Sequence, residues 1–98
     1  MLAARPPYDA KLGYPAALDY TWDPREVWPG SGFAQVRLRR RPGAAYLDAH
    51  HRLRGERCEQ CGAVTDVLVE RTGALSGQTH GFWRCERHLE DCLPPVAE

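Results

Sequence analysis

Cys58-Glu59-Gln60-Cys61 is followed, beyond a 23-residue insert running from Gly62 to Arg84, by Cys85-Glu86-Arg87-His88. Two cysteines separated by two residues grip one ion, and a Cys-x-x-His pair completes a closed Cys3His tetrahedron of the kind that structural zinc prefers. The expected ligands are Cys58, Cys61, Cys85 and His88 around one structural Zn2+. Cys92 is the alternative ligand, one helical turn beyond His88. A helix would carry it about 10 Å along the axis from Cys85, too far for the two to share an ion.

Ninety-eight residues form a small domain with little apolar surface to bury, so a metal staple is expected. Structural zinc in small fingers contributes about 10–16 kcal/mol, comparable with the whole stability of such a domain. The paired spacing of the cysteines, with no secretory h-region in Met1-Leu2-Ala3-Ala4-Arg5, speaks against disulfides. No apolar run approaches the roughly 20 residues of a membrane span. The expectation is a soluble cytoplasmic protein with reduced thiols and no membrane partner.

Formal net charge is zero, but the charge is unevenly placed. Residues 1–36 carry three basic and four acidic side chains, residues 37–57 seven and two, and residues 58–98 three and seven. Local potential, not the sum, governs binding, so neutrality leaves an anionic partner open.

Outward from the ligands, three segments are expected. Residues 1–32 contain Pro6, Pro7, Pro15, Pro24 and Pro29, a spacing that forbids a long helix or a central strand. With Tyr8, Tyr14, Tyr20, Trp22 and Trp28 interleaved, this segment reads as an extended arm whose rings lie on a surface, its own or a partner's. Residues 33–57 are a basic strand and helix. Ala34, Val36 and Leu38 alternate with Gln35, Arg37, Arg39 and Arg41, and Ala44 to Arg54 has helix-forming composition. Residues 58–98 are the zinc module: a strand over 64–71, a Gly/Ser loop, a return strand over 79–84, and a short helix from Cys85 to Leu93 stopped by Pro94-Pro95. That helix would place Cys85, His88, Leu89 and Cys92 on one face.

This order of parts resembles a treble-clef finger, with the zinc ribbon as the near alternative. The resemblance covers Cys58 to Cys92 and implies a scaffold shared by many activities. The expected fold is a small α+β zinc-stapled domain with a treble-clef-like Cys-x-x-Cys turn, a β-hairpin, a short C-terminal helix and the extended Pro/aromatic N-terminal arm.

The leading functional expectation is a non-enzymatic structural or adaptor subunit of a larger assembly, its arm rings bound to a protein partner. The alternative is a nucleic-acid-binding zinc finger in which Arg37, Arg39, Arg40, Arg41, Arg52, Arg54 and Arg57 contact phosphates. A third is a degenerate HNH-like nuclease, prompted by Asp48 beside His50 and His51. In HNH nucleases such a pair follows the cysteine turn, whereas here it precedes it, and His88 is already a zinc ligand. No catalytic residues are expected: the chain has no Gly-rich phosphate loop and no nucleophile–base set, and its four metal ligands leave no open position.

Overall fold

The computed structural model describes residues 5–95. Residues 1–4, where the arm and the leader reading begin, and residues 96–98, where the zinc module ends, lie outside the described residues. A four-stranded antiparallel sheet in the order β1-β2-β5-β6 forms the body, and a separate two-stranded ribbon, β3-β4, interrupts it. The strands are β1 (Asp19–Trp22), β2 (Phe33–Arg40), β3 (Ala45–Leu47), β4 (Leu53–Gly55), β5 (Val67–Gly73) and β6 (Thr79–Trp83).

Strand β2 is the alternating stretch expected from its composition. Val36 and Leu38 are buried while Gln35, Arg37 and Arg39 face the other way, as the two-residue period of a strand dictates. β5 pairs with β2 so that Val69 stands opposite Leu38, and β6 returns against β5 with Phe82 opposite Val69. The core is Leu18, Trp22, Val36, Leu38, Val67, Val69, Leu89, Cys92 and Leu93.

Three expectations are corrected by this arrangement. The first concerns the arm. Pro15 and Pro24 bracket a proline-free stretch just long enough for an edge strand, and β1 pairs along β2 from Asp19↔Arg39 to Trp22↔Val36. Leu18 and Trp22 enter the core, with Tyr14 and Tyr20 packed against it. Pro24 opens a 3-10 turn over Pro24–Glu26, capped by the Asp23 carboxylate. Much of the expected arm therefore packs as part of the folded body.

The second is the helix expected over residues 44–54, which is the β3-β4 hairpin instead. Asp48 decides this. Its Oδ1 accepts from the backbone N–H groups of His50 at 2.8 Å and Arg52 at 3.0 Å, offering the chain a turn in competition with the helix. His51 adopts a positive φ of 58° at that turn.

The third is the C-terminal helix. Residues 85–93 form two 3-10 turns, Glu86–His88 and Glu90–Cys92, with Leu89 between them. A stretch this short gains little from α-helical propagation, and i→i+3 turns keep Cys85 and His88 close, with His88 N–H donating to the Cys85 carbonyl at 2.9 Å. The apolar face survives the change, since Leu89, Cys92 and Leu93 are each 1% exposed. The molecule is thus a small domain mostly of antiparallel strands with a few helical turns. No helix among the described residues is long and apolar enough to cross a membrane.

Candidate metal centre

The Cys58–Cys61 turn is a tight knuckle: Gly62 N–H donates to the Cys58 carbonyl and Cys58 N–H to the Ala63 carbonyl, both at 2.8 Å. Gly62 takes φ 79°, the left-handed conformation that a glycine reaches at little cost. The second pair enters where β6 ends. Glu59 N–H donates to the Trp83 carbonyl at 3.0 Å, stitching the knuckle to that strand end.

The Sγ atoms of Cys58, Cys61 and Cys85 and a ring nitrogen of His88 all lie within 4.8 Å of one another. Cys61 Sγ is 3.7 Å from Cys85 Sγ, His88 Nδ1 is 3.2 Å from Cys85 Sγ, and Cys58 Sγ is 3.9 Å from His88 Nδ1. A tetrahedral ion with metal–sulfur bonds of ~2.3 Å has edges of about 3.8 Å. The donor set and its spacing therefore fit a single four-coordinate cation.

Electrostatics point the same way. Burial pushes the Cys58 thiol up, but hydrogen bonds from the backbone N–H groups of Cys85, Gln60 and Cys61 outweigh it and bring the pKa down to about 6. The Cys85 thiol is instead raised, by burial first and then by the neighbouring Cys61 and Cys58 sulfurs. Several sulfurs so close together cannot all ionise without a cation among them.

Arg84, 7% exposed, braces the site in a way the sequence reading missed. Its guanidinium holds Glu59 Oε1 at 2.8 Å through Nη2 and the His88 carbonyl at 3.1 Å through Nη1. Its own carbonyl accepts from buried Thr65 Oγ1 at 2.9 Å. Only the adjacency of Arg84 to Cys85, and of Glu59 to Cys58, hinted at this role. Cys92 stands apart from the cluster, in the core, with an Arg71 Nη2 3.7 Å from its sulfur.

The arginines of β2 are not a free cationic row. Arg37 makes a two-pronged pair with Asp19 at 2.9 and 2.7 Å, Arg39 Nη2 lies 2.8 Å from Glu70 Oε1, and Arg40 pairs with Asp66 and Glu86. Arg52 and Arg54 share the carboxylate of Asp48. Among the described residues Arg41 and Arg57 have no carboxylate partner, and Arg57 donates to the Gly62 carbonyl at 2.9 Å. The rings expected to bind a partner are divided. Trp22 is 5% exposed, with Tyr14 and Tyr20 also against the core, while Tyr8 and Trp28 are 61% and 48% exposed. Asp48, His50 and His51 lie together at the tip of the β3-β4 ribbon, the carboxylate engaged by backbone amides and two arginines.

Comparison with family models, with curated proteins and with solved structures finds no match to this chain.

Proposed function

We propose that the chain is a non-enzymatic, zinc-stapled docking module, a structural or adaptor subunit that binds another protein. The observation that carries the reading is the closed Cys58/Cys61/Cys85/His88 set. Three thiolates and one imidazole around a tetrahedral position are the donors of a structural zinc, and four protein ligands leave no position for water or substrate. The knuckle, the hairpin between the two ligand pairs and the tail that brings Cys85 and His88 follow the treble-clef order, with 3-10 turns in place of the usual helix.

The docking part of the reading rests on apolar side chains left outside. Tyr8 and Leu12, which line one groove, form one such group, and the cross-strand pair Leu47 and Leu53 on the β3-β4 ribbon another. Grouped apolar exposure on a small domain marks interaction surfaces. Affinity purification of the full chain from its native host, with and without nuclease, tests this. A protein partner that survives nuclease supports the reading, and recovery of nucleic acid alone overturns it.

The second reading, nucleic-acid binding, is favoured by Arg41 and Arg57, whose charges no described carboxylate neutralises, beside the Arg52 and Arg54 pair sharing one acid. It moves the contact from β2 to the ribbon and knuckle. Steep loss of oligonucleotide binding with rising salt is its signature.

A further inference from the structure

A groove of about 820 Å³ opens beside the loop that precedes β1, lined by Tyr8, Leu12, Tyr14, Pro15 and Pro42, with Asp9, Arg40 and Asp66 among its polar groups. The loop is tightly constrained. Asp9 and Gly13 exchange backbone hydrogen bonds at 3.1 and 2.6 Å, and Asp9 Oδ1 accepts from the N–H groups of Lys11 at 2.7 Å and Leu12 at 3.0 Å. Gly13 makes the turn at φ 76°, and the Glu86 carboxylate occupies the place a side chain would take. From the sheet, Arg40 donates to the carbonyls of Pro15 and Tyr14, both at 3.1 Å, and fastens the loop in position. The groove is therefore formed before anything enters it, which lowers the ordering cost of binding.

The Tyr8 and Tyr14 rings pack against each other, centroids 4.9 Å apart and tilted by 58°, and form an aromatic wall of the groove. Tyr8 and Leu12 are 61% and 83% exposed, so the described residues leave this apolar wall uncovered. The charged groups that line the groove are Asp9, Asp66 and Arg40, while Arg41 lies outside the lining. Arg40 is paired with Asp66 and with Glu86 just outside the groove, which leaves Asp9 as the lining carboxylate with no arginine or lysine partner among the described residues. A phosphate-bearing ligand is disfavoured there and a cationic one favoured.

We propose that this groove docks a proline-rich segment in polyproline II conformation carrying a basic residue, supplied by the partner protein; the proposal rests on the adaptor reading and names what that partner presents. A polyproline II strand has no internal hydrogen bonds, so its carbonyls are free to accept from tyrosine hydroxyls while its rings lie against aromatic faces. It arrives already extended and loses little entropy on docking. Its basic residue meets Asp9.

The test is a titration of the isotope-labelled, metal-loaded full chain with an acetylated Pro-Pro-Arg-Pro-Pro-Arg-Pro-Pro peptide, followed by amide chemical shifts. The control is the same peptide with serine at every proline. The proposal expects saturable shifts centred on residues 8–16 and 40–41 with the proline peptide and none with the control. Tyr8→Ala and Leu12→Ser each remove an exposed side chain, and each should weaken binding at least about tenfold. Equal shifts from the serine control, shifts scattered over the surface, or unchanged affinity in Leu12→Ser overturn it, as does an oligonucleotide that moves the same amides. The adaptor reading fails separately, when nuclease-treated purification recovers no protein; a null peptide titration alongside a recovered partner removes only the groove assignment.

Discussion

The indole Nε1 of Trp22 donates to the carbonyl oxygen of Cys92 at 2.9 Å, tying the first strand of the sheet to the tail that follows the metal ligands. The ring is 5% exposed and lies in the central core, and its edge meets Trp28 at a centroid distance of 5.9 Å. Trp22→Ala should lower unfolding free energy by about 3–5 kcal/mol, and Trp22→Phe by less, since the phenyl ring keeps much of the burial but leaves the carbonyl without its donor. Denaturant unfolding of the metal-loaded variants measures both. A loss below about 1 kcal/mol in Trp22→Ala would put residues 19–22 outside the cooperative fold.

Metal removal is expected to be disruptive. One zinc per chain should be found by elemental analysis, and a strong chelator should abolish cooperative unfolding, because ligand binding and folding are one equilibrium in such sites. Cys58→Ala, Cys61→Ala, Cys85→Ala and His88→Ala should each lose the ion. Cys92→Ala should keep it and lose only about 1 kcal/mol of stability. Retention of zinc in Cys85→Ala with loss in Cys92→Ala would reassign the fourth ligand.

Arg84→Ala should weaken zinc binding by about 10–100-fold, the usual consequence of removing a group that orients metal ligands. Competition with a chromogenic chelator reads this directly. Arg84→Lys should recover little, since one ammonium cannot reach both Glu59 and the His88 carbonyl with the guanidinium's geometry.

Alkaline pH should destabilise the metal-loaded protein. Burial raises the Cys92 thiol above its ordinary value, and burial likewise raises the Tyr14 and Tyr20 phenols. For an acid whose folded pKa is raised, the native chain keeps its proton after the unfolded chain has lost it. The stability is then fully present below the unfolded pKa, about 8.5 for cysteine and 10 for tyrosine, and is lost as pH rises toward the folded values. Unfolding midpoints should therefore fall from pH 8 upward, and the decline near pH 9 should be smaller in Cys92→Ala. Midpoints that stay level to pH 11 would contradict the burial of these groups.

Nucleic-acid binding, if found, should follow unpaired charge rather than arginine count. Arg41→Ser and Arg57→Ser should each flatten the salt dependence of oligonucleotide binding by about 0.7–0.9 in log–log slope, while Arg37→Ser leaves it unchanged because its guanidinium is already committed to Asp19. An Arg37 effect equal to that of Arg57 would show that the β2 ion pairs open on binding.

Much of this was legible in the sequence and some was not, for separable reasons. Ligand spacing identified the four residues that the fold gathers, and period-two alternation identified β2 and its buried face, because both signals are local. The hairpin at residues 45–55 is hidden because the composition of Ala44 to Arg54 argues for helix while a single side chain, Asp48, redirects the backbone through two amide hydrogen bonds. The arm's place in the sheet is hidden because proline spacing excludes a central strand but permits a short edge strand such as β1. The pairing of the arginine row is not legible in the sequence because its neutralising acids, Asp19, Asp66, Glu70 and Glu86, come from distant stretches.

Arg40 gives that last point a temporal side. Its guanidinium takes the carbonyls of Tyr14 and Pro15, the carboxylate of Asp66 and the carboxylate of Glu86. Two of these four acceptors, Asp66 and Glu86, do not exist when the ribosome has just added Arg40. Trp22 likewise waits for the Cys92 carbonyl, and Val36 and Leu38 wait for β5. A growing chain thus presents donors and apolar faces whose counterparts are synthesised later, and pairings of such long separation form slowly. Productive assembly is deferred until the tail emerges, so stalled or shortened translation products should be the forms most prone to aggregate and to be degraded.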